Sequence, residues 1–543
     1  MKTLITTLNA KYIHTSLAIR WLYVSASLHH ETDLKEFTIK EDLNQVAQTI
    51  LEGDYQVVAF ACYIWNITLI EPLVALLKAA RPEMIIILGG PEVMYDSQHF
   101  ISTTQCDYII CGEGEEAILD LLDRLESGED FTPAWLASPA HIATSIATAS
   151  MAFIESLPSP YTLDCDTQSK KNRVLYFETS RGCPFQCQYC LSSLEKGLRF
   201  FSHDYLSRQI LELSQSGAKT IKILDRSFTA DANHALFVLE GIFKHHADNQ
   251  QFQFEINADV LPETVLSFIL EKAPAGLLRF EIGIQSTYEP TNRAVKRLQN
   301  FERLSEVVHA LMQSDCCDLH LDLIAGLPYE DLKRFQTSFN DVFAFHAKEL
   351  QLGFLKMLRG TSLRNEADSY GYVYSQEAPY EMISNQFMSP ADIAKVQLAE
   401  DMLEKYCNSG RFPLTMQSIF KDRYKAFEWF YALGCYYESH GYMAIGYQLD
   451  SLFEALDGFV DDARIHECLI EDYLSFYKIR PKRWYQSTLT QEERKEVIHY
   501  LGETYGLNQE ELFRYGVVEK LSNSYLVAVY HGNERNIHKY PLK

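Results

Sequence analysis

The stretch Arg181-Gly182-Cys183-Pro184-Phe185-Gln186-Cys187-Gln188-Tyr189-Cys190 places three cysteines at a C-x3-C-x2-C spacing, directly after an apolar run typical of a β-strand. Thiolates spaced in this way suit an iron–sulfur cluster or zinc, and a site closed by protein alone needs four ligands. No fourth cysteine or histidine lies close by in the sequence, and Cys165 is too far upstream to share the loop. Three thiolates on a four-iron cluster would leave one iron free to bind a substrate or a cofactor.

The spacing of the cysteines, the aromatic Tyr189 before the last of them and the preceding strand together resemble the signature of radical S-adenosylmethionine (SAM) enzymes. The resemblance implies that Cys183, Cys187 and Cys190 hold a [4Fe–4S] cluster whose open iron binds SAM. The alternative is a structural zinc or cluster knot that is completed by a distant residue.

The length and composition of the chain predict a globular protein of about three domains. Its 543 residues are 47% hydrophobic and 13% aromatic, which is enough for sizeable cores. The formal net charge of −24 disfavours a nucleic-acid partner, because phosphate backbones would be repelled on average. No stretch approaches the roughly 20 apolar residues of a membrane span, so we predict a soluble, cytoplasmic protein. The twelve cysteines are then expected to be thiols and metal ligands rather than disulfides.

Residues 1–127 alternate apolar runs with helical patterns, which predicts an α/β domain with a doubly wound, Rossmann-like (flavodoxin-like) parallel sheet. Four strands are predicted, at residues 4–8, 57–61, 84–88 and 108–110. Ligands bind such sheets at the carboxyl ends of the strands. The predicted binding rim therefore comprises four loops, at residues 9–14, 62–66, 89–92 and 112–115. Their glycines permit close approach of the backbone to a bulky ligand.

This rim resembles that of the cobalamin-binding domain that precedes many radical SAM domains, where GGP and GEGE segments contact the corrin. The resemblance implies a set of cobalamin contacts: Asn9, Tyr12, Trp65, Asn66, Gly89, Gly90, Gly112, Glu113 and Gly114. The D-x-H-x-x-G motif, which supplies a histidine ligand to cobalt in other cobalamin proteins, is absent from this domain. Either cobalt is bound without that histidine or the cobalamin site is degenerate. We interpret His14 as a polar residue at the start of a helix.

A linker and a partial barrel are predicted next. Residues 128–172 are rich in Pro, Ala, Ser and Thr without sustained periodicity, which is typical of a linker. Residues 173–365 contain six strand candidates separated by helical patterns, at 174–177, 220–224, 253–256, 278–284, 319–324 and 349–355. Six βα units are fewer than the eight that close a TIM barrel. The radical SAM core is such a partial (β/α)6 barrel.

Period-two alternation places charged and amide side chains on the same face of three of these strands. They are Glu255 and Asn257, Glu281 and Gln285, and His320 and Asp322. Charges inside a barrel are costly unless they bind something. These groups therefore form either a mutually satisfied polar network or a site for a polar ligand such as SAM. Arg297 could hold the carboxylate of SAM in a forked geometry.

Four segments resemble SAM-binding segments of oxygen-independent coproporphyrinogen oxidases and methylthiotransferases, at residues 254–257, 283–286, 295–297 and 322–328. The resemblance implies SAM contacts by Glu255, Gln285, Arg297 and Asp322. Asp225 occupies the place where the family contacts the methionyl amine, and Tyr189 is expected beside the adenine. His320 is expected to line the cavity, with packing and a substrate or proton-transfer role both open.

Residues 366–543 show helical patterns dense in aromatic side chains, which predicts a mainly α-helical domain with a small closing strand near 521–529. This segment resembles a C-terminal helical extension of unknown role that occurs in a subset of cobalamin-type radical SAM proteins. It contains no recognisable tRNA-binding module.

The order of the segments resembles that of cobalamin-binding radical SAM enzymes over nearly the whole chain. The implied reaction is reductive cleavage of SAM to a 5′-deoxyadenosyl radical, with a reductant such as flavodoxin or ferredoxin, and cobalamin-dependent C-methylation of a small or lipid-like substrate. One alternative keeps the radical chemistry without methyl transfer, as a cyclisation, rearrangement or oxidation. Another is a cluster- or cobalamin-binding sensor without turnover.

Overall fold

The structure is a computed structural model that describes residues 1–161, 163, 170–195, 197–421, 425–444, 446, 448–481, 483–531 and 534–542. The chain forms two compact units, Met1–Phe335 with Leu352–Pro390, and Gln336–Gln351 with Ala391–Lys543. Cys165, considered above as a ligand, lies outside the described residues. Among the helices described, none is long and apolar enough to cross a membrane.

A six-stranded sheet forms the amino-terminal part of the first unit. Its strands are β1 (Lys2–Asn9), β2 (Glu31–Thr38), β3 (Val57–Ala61), β4 (Ile85–Gly89), β5 (Tyr108–Ile110) and β6 (Leu136–Ala137). They are ordered β2-β1-β3-β4-β5-β6, with β1 to β5 parallel and β6 antiparallel to β5. This order confirms the predicted flavodoxin-like sheet, and the strand order reverses between β1 and β3, where such sheets bind ligands.

Helices cover both faces of this sheet. They are α1 (Leu17–Ala26), α2 (Leu43–Glu52), α3 (Ile67–Ala80), α4 (Pro91–Met94), α5 (Ser97–Thr103) and α6 (Glu115–Ser127). Apolar side chains of α2, α3 and α5 pack on one face, and those of α1 and α6 pack on the other. The two cores hold the strand ends, and therefore the loops that follow them, in fixed positions.

Two strands of this sheet depart from the sequence prediction. The edge strand β2 has one buried residue, Phe37, so it lacks the apolar pattern by which the other strands are recognised. The strand β6 lies in the predicted linker, and so does α7 (Met151–Ser156). Ala147 of the same segment donates a backbone hydrogen bond of 2.7 Å to Cys111 at the end of β5. The segment is therefore packed against the sheet along part of its length.

The second sheet carries the six barrel strands that the sequence predicts. The strands of this region are β7 (Val174–Phe177), β8 (Ser180–Arg181), β9 (Arg199–Phe200), β10 (Thr220–Ile223), β11 (Gln251–Ile256), β12 (Leu278–Gln285), β13 (Cys317–Ala325) and β14 (Glu349–Phe354). Six of them form a sheet in the order β14-β13-β12-β11-β10-β7, with parallel pairing from β7 to β13. β8 and β9 pair with each other on either side of the cysteine loop.

The connecting helices bury one face of the barrel strands. They are α8 (His203–Gln215), α9 (Ala232–His245), α10 (Glu263–Lys272), α11 (Glu289–Ala294), α12 (Phe301–Ser314), α13 (Leu332–Phe343) and α14 (Ser362–Asn365), followed by β15 (Val373–Tyr374) and β16 (Met382–Ser384). Along β11 and β12, buried apolar residues alternate strictly with partly exposed ones. The polar side chains predicted for the inner face on these two strands belong to the partly exposed set, whereas His320 on β13 is buried.

The second unit is mainly helical and ends in a small sheet. Its helices are α15 (Pro390–Leu403), α16 (Pro413–Phe420), α17 (Ala426–Ser439), α18 (Leu449–Phe459), α19 (Ala463–Phe476), α20 (Gln491–Tyr505) and α21 (Gln509–Tyr515). An antiparallel sheet of β17 (Gly516–Lys520), β18 (Ser524–His531) and β19 (Glu534–Pro541) replaces the single strand that was predicted. α20, α21 and this sheet share a small apolar core.

Candidate functional site

The cysteine loop follows β8 and returns to β9. Gly182 at its start has a φ of +92°, and a Cβ there would overlap the carbonyl oxygen of Gly197, so this turn requires glycine. Within the loop Cys187 is buried, whereas Cys183 and Cys190 are partly exposed. The paired strands therefore present three thiols on one short, closed loop.

Two backbone hydrogen bonds fix the middle of this loop to other parts of the first unit. The amide of Gln188 donates to the carbonyl of Val295 at 2.9 Å, and the amide of Leu363 donates to the carbonyl of Gln188 at 3.0 Å. The loop is thus tied to the segment after β12 and to α14, which restricts the positions of the flanking cysteines.

The chemistry of these thiols fits an iron–sulfur cluster. Within the described ranges, no three His, Cys, Asp or Glu side chains are placed to hold one metal ion. A four-iron cluster does not need such convergence, because each thiolate binds a different iron. A cation favours the thiolate form that ligands must adopt, and Arg297 Nη1 lies 3.9 Å from the sulfur of buried Cys187.

A cavity of about 700 Å³ opens where the carboxyl ends of β1, β3, β4 and β5 face the cysteine loop. Side chains of the first sheet and its helices, such as Trp21, Phe60 and Ile118, make much of the wall apolar. The barrel contributes β7, the cysteine loop and the residues after β10. Such a cavity has the size and lining of a site for a large cofactor.

Seven of the nine predicted cobalamin contacts line this cavity. They are Asn9, Trp65, Gly89, Gly90, Gly112, Glu113 and Gly114. Tyr63, which was not singled out from the sequence, lines it as well, and its ring stacks on Trp65 with centroids 4.4 Å apart. The stacked pair forms a flat aromatic wall after β3.

The glycine loops leave room in the cavity by packing closely against backbone on their other side. Gly90 and Gly112 have φ values of +103° and +112°. A Cβ on Gly90 would meet the backbone of Cys62, and a Cβ on Gly112 would meet the backbone of Ala147. These positions therefore require glycine, which lets both loops pack closely against the neighbouring backbone. The size and the largely apolar wall of the cavity fit a bulky cofactor such as cobalamin.

The other two predicted cobalamin contacts, Tyr12 and Asn66, do not line the cavity. Tyr12 is 64% exposed, and the guanidinium of Arg173 lies 5.2 Å from its ring centroid. Asn66 is fully buried, and its amide nitrogen donates to the Thr7 hydroxyl and to two backbone carbonyls. Its oxygen accepts from the Tyr63 amide at 2.7 Å. Asn66 therefore shapes the loop after β3 instead of facing the cavity.

His14 lines the cavity directly before α1. Its Nδ1 lies 2.6 Å from the hydroxyl oxygen of Tyr176 on β7. Burial, followed by the nearby positive charge of Lys11, lowers the pKa of His14. The imidazole is therefore a neutral group at the boundary between the first sheet and the barrel.

Carboxylates of the loop before α6 bind arginines on both sides of the cysteine loop. Arg181 Nη2 lies 2.6 Å from Glu115 and 2.9 Å from Glu178, and its Nη1 lies 3.4 Å from Glu113. Arg199 also pairs with Glu113. Burial would lower the pKa of Arg181, but Glu178 and Glu115 outweigh it and raise that pKa. The GEGE loop and the cysteine loop are therefore joined by buried ion pairs.

The inner face of the barrel carries a network of opposite charges. Lys222 Nζ lies 2.7 Å from Glu281 and 3.8 Å from Glu255, and Arg226 lies 3.7 Å from Glu255. Burial raises the pKa of Glu255. The distances of Glu255 to both cations exceed those of a direct hydrogen bond, so its carboxylate keeps capacity to accept donors from a ligand.

Gln285 and Asp322 lie farther along the neighbouring strands. Gln285 has a φ of +69°, and its side-chain oxygen is buried without a hydrogen-bond donor. An orphaned buried oxygen is rare in folded proteins and is satisfied when a ligand donor reaches it, which fits SAM. Asp322 lies 3.0 Å from His320 Nε2, and the Nδ1 of the same ring lies 2.9 Å from Arg279. Because arginine only donates, Nδ1 accepts and Nε2 carries the proton.

Asp225 is engaged within the fold and not in the cavity. It is buried and accepts hydrogen bonds from the amide of Thr179 at 2.7 Å, from the Thr179 hydroxyl at 2.6 Å and from the Ser180 hydroxyl at 2.5 Å. Burial raises the pKa of Asp225 to about 6. The next residue, Arg226, lines the cavity instead. A role for Asp225 at the methionyl amine stays a prediction.

Arg297 is held by several acceptors beside the cysteine loop. Its guanidinium donates to Asn257 at 3.1 Å, to Gln299 at 3.1 Å and to the carbonyl of Gly283, besides its contact with Cys187. Tyr189 is partly buried, and burial raises its pKa. The guanidinium of Arg297 therefore already donates to these acceptors. The SAM carboxylate that was predicted to bind Arg297 would have to compete with them.

The sequence carried a signal for some of the residues that were not singled out. Arg181 directly precedes the first cysteine of the loop, and Arg226 directly follows Asp225. A buried cation beside a cluster motif and a cation at a strand end are both recognisable positions. Glu115 differs, because its partner Arg181 comes from a distant segment of the chain. Tyr63 stacks on Trp65 of the same loop, and the sequence alone does not show that its ring lines the cavity.

Three family descriptions match the chain in succession. "B12 binding domain" matches residues 3–122, "Radical SAM superfamily" matches residues 177–342, and "Protein of unknown function (DUF4080)" matches residues 368–532. The first two matches imply cobalamin, SAM and a [4Fe–4S] cluster as cofactors, which agrees with the sequence prediction.

Curated relatives match the chain at moderate identity. The 2-(S-pantetheinyl)-carbapenam-3-carboxylate methyltransferase of Streptantibioticus cattleyicolor is 28% identical over 333 residues, covering 54% of this chain and 46% of that protein. The cobalamin-dependent radical SAM methyltransferase TokK of Streptomyces tokunonensis is 26% identical over 330 residues, covering 54% and 45%. The matched part thus spans less than half the length of either relative.

Solved structures share the fold over more of the chain. TsrM from Kitasatospora setae, a radical SAM methyltransferase with cobalamin and a [4Fe–4S] cluster bound, aligns with a TM-score of 0.60 and 11% identity, covering 80% of this chain and 99% of that one. The cobalamin-dependent SAM radical enzyme OxsB aligns with a TM-score of 0.62 and 14% identity, covering 88% and 81%. The chain therefore combines a B12 binding domain with a domain of the radical SAM superfamily, followed by a DUF4080 region.

Proposed function

We propose that this protein is a radical SAM enzyme that methylates a carbon atom of its substrate in a cobalamin-dependent reaction. The observation that carries the proposal is the cavity of about 700 Å³, which is lined both by the strand-end loops of the B12 binding domain and by the cysteine loop. The loop contributes Gly182, Leu191 and Ser192, which flank the three cysteines, so a methyl carrier in this cavity would lie beside the radical source, and both could act on one substrate. The similarity to two proteins named as methyltransferases supports the same reaction class.

The proposed residue roles follow from position. Cys183, Cys187 and Cys190 hold the cluster, Glu255, Gln285 and Asp322 bind SAM, and the strand-end loops that line the cavity hold cobalamin. When bound, the cluster and SAM supply a radical that abstracts hydrogen, and cobalamin supplies the methyl group. The domain boundaries that we propose are residues 1–127, 128–172, 173–365 and 366–543.

The protein's own contribution is to position these groups and to exclude water. The apolar wall with Trp21 and Phe60 shields the cavity, and the stacked rings of Tyr63 and Trp65 give it a flat face for a planar ligand. Arg181 holds the GEGE loop against the cysteine loop. His320 Nε2 lies 3.0 Å from the Asp322 carboxylate, and the role that we propose for His320 is to hold that carboxylate in position in the barrel.

The substrate that we propose is a small or lipid-like molecule, and the electron donor is a reductant such as flavodoxin or ferredoxin. A net charge of −24 opposes binding of a polyanionic substrate such as RNA. The proposed location is the cytoplasm, where low-potential reductants and thiols are kept reduced.

Product analysis after anaerobic reconstitution with iron, sulfide, SAM, cobalamin and a reductant tests this function. We expect 5′-deoxyadenosine and S-adenosylhomocysteine from the wild type and neither from Cys187→Ala, whereas Cys407→Ala, a cysteine of the second unit, should behave as the wild type does. 5′-Deoxyadenosine without S-adenosylhomocysteine would favour radical chemistry without methyl transfer. A relative named anaerobic magnesium-protoporphyrin IX monomethyl ester cyclase, from Synechocystis and 23% identical over 274 residues, gives that alternative its support. A protein that binds cluster and SAM but forms neither product with any reductant would contradict the enzyme assignment.

A further inference from the structure

Arg297 is placed to act on the cluster itself and not only on SAM. Its Nη1 lies 3.9 Å from the sulfur of Cys187, which is within hydrogen-bonding distance for a sulfur acceptor. Cys187 is the most buried of the three motif cysteines, so little water screens a charge at this sulfur. This contact joins a permanent cation to one thiolate of the proposed cluster.

The guanidinium has little freedom to leave this position. Gln299 accepts from its Nε at 3.1 Å, and Asn257 and the carbonyl of Gly283 accept from its Nη2. These acceptors come from the end of β12, from the segment after β11 and from the residues after Arg297 itself. The Nη1 atom is directed at the cysteine loop, where it contacts the sulfur of Cys187.

Backbone hydrogen bonds fix the positions of Cys187 and Arg297 relative to each other. The amide of Gln188, next to Cys187, donates to the carbonyl of Val295, two residues before Arg297. The amide of Arg297 donates in turn to the carbonyl of Asn292 at 2.8 Å. The distance between the guanidinium and the sulfur is therefore set by main-chain hydrogen bonds as well as by side chains.

We propose that Arg297 sets the reduction potential of the cluster held by Cys183, Cys187 and Cys190. One-electron reduction adds one negative charge to the cluster, and the electron comes from the external reductant. A fixed cation and an N–H···S contact both stabilise the reduced form, and iron–sulfur potentials respond to charge and to hydrogen bonds at sulfur. Arg297 thus raises the potential and makes the electron transfer that starts the reaction easier. This inference rests on the proposed function, because it requires the cluster.

The test is a potentiometric titration of the reconstituted cluster, followed by electron paramagnetic resonance, without SAM and without cobalamin. In Arg297→Gln we expect a lower midpoint, with the ratio of reduced to oxidised cluster at the wild-type midpoint falling about tenfold, or about 59 mV for one electron. Arg297→Lys keeps the charge but loses the planar fork, so its midpoint should fall by less. Arg303→Gln removes the same charge from an exposed pair with Glu263 and Glu306 and should leave the midpoint unchanged.

The outcomes separate this inference from its premise. A wild type that assembles no cluster, by iron and sulfide content, would overturn the proposed function. Clusters in all variants with one common midpoint would overturn the role of Arg297, and a weaker SAM affinity in Arg297→Gln with an unchanged midpoint would assign it to SAM alone. If Arg297→Gln does not fold, Arg297→Lys decides the question, because any purely structural or SAM-binding role leaves its midpoint at the wild-type value.

Discussion

Asp225 lies two residues beyond the end of β10, and its side chain holds the residues at the start of the cysteine loop in place. Its carboxylate accepts three hydrogen bonds from Thr179 and Ser180, the residues that lead into β8. Thr179 also lies 2.8 Å from His234 Nε2, so the brace extends to α9. A charged group that is buried in this way is held by hydrogen bonds but penalised by the loss of water.

This brace predicts a measurable dependence of stability on pH. Burial raises the pKa of Asp225 from an ordinary value of 3.8 to about 6, so between these values the folded chain binds a proton that the unfolded chain has released. Stability should therefore fall as the pH rises from 4 to 6, by about 3 kcal/mol for this one group. The side chain of Asp225→Asn stays neutral at every pH. Between pH 4 and pH 6 the thermal midpoint of the variant apoprotein should therefore decrease less than that of the wild type.

The contribution of Asp225 is the difference between the pH dependence of the wild type and that of Asp225→Asn. Asp472 in the second unit also has its pKa raised by burial to about 6, and it titrates in both. Differential scanning fluorimetry at pH 4, 5, 6 and 7 gives the required pair of curves. Parallel curves for the wild type and Asp225→Asn would show that Asp225 is ionised at its ordinary pKa in the folded protein.

At this scale the sequence predicted residue types better than it predicted partners. The three cysteines and the glycines at the strand ends were recognisable, because spacing and backbone freedom are local properties. Asn66 was expected to contact cobalamin, but its amide nitrogen donates hydrogen bonds to residues at the ends of β1 and β3. Nothing in a linear pattern distinguishes an amide that faces a cavity from one that ties two strands together.

At the scale of elements, the junction between the GEGE loop and the strands β8 and β9 is made by ion pairs of Arg181 and Arg199. Arg181 of β8 is 8% exposed, and its partner Glu115 at the start of α6 is 7% exposed. Pairs of this kind contribute little net stability when intact, but removal of one member leaves an uncompensated buried charge. The junction therefore fixes geometry more than it adds stability.

Loss of the cation should consequently be costly. We expect Arg181→Met to destabilise the first unit by about 3–5 kcal/mol, because Glu115 is left buried and the half-buried Glu178 also loses its partner. Arg199→Met is the matched control, since Arg199 binds Glu113 from a side chain that is 33% exposed. Urea titration of the apoproteins, followed by circular dichroism, compares them. Equal urea midpoints for the two variants would show that the burial of the Arg181 ion pairs does not increase the loss of stability when the cation is removed.

Elements with a clean apolar period were predicted, and elements defined by tertiary contacts were not. All six barrel strands appear near their predicted bounds, since each carries buried apolar residues at a regular spacing and lies between helices. β2 was missed because it is an edge strand with charged side chains, and β6 because two residues cannot show a period. The carboxyl-terminal sheet was predicted as one strand, since β19 is almost entirely exposed and polar.

At the scale of the whole molecule, the division of the chain does not follow its sequence order. The first compact unit contains both the B12 binding domain and most of the radical SAM domain, and the second begins with residues 336–351 before continuing at 391. A sequence pattern that is followed along the chain predicts consecutive domains. It does not show that residues 336–351 belong to the second unit while residues 352–390 belong to the first. Both of these domains belong to one unit, and residues of the radical SAM domain beside the cysteines line the cavity at the strand ends of the B12 binding domain.

This arrangement predicts that cluster assembly and cobalamin binding are thermodynamically coupled. A cluster fixes the loop between β8 and β9, and Arg181 and Arg199 on these strands hold Glu113 and Glu115 of the loop that lines the cavity. A fixed cysteine loop therefore presents an ordered GEGE loop to cobalamin. Coupling between sites is typically five- to 150-fold, so we expect hydroxocobalamin to bind about fivefold or more tightly to the cluster-loaded protein than to the cluster-free protein.

The carboxylates of the junction give this coupling a direct test by equilibrium dialysis. Glu115→Gln weakens the link to Arg181, so the affinity ratio between cluster-loaded and cluster-free protein should shrink toward one. Glu129→Gln, directly after α6, removes the same charge from an exposed pair with Arg124 and should keep the wild-type ratio. Reciprocity requires that bound cobalamin also stabilises the cluster against chelation by the same factor. A ratio in Glu115→Gln equal to that of the wild type would mean that the two cofactors bind independently although they share a cavity wall.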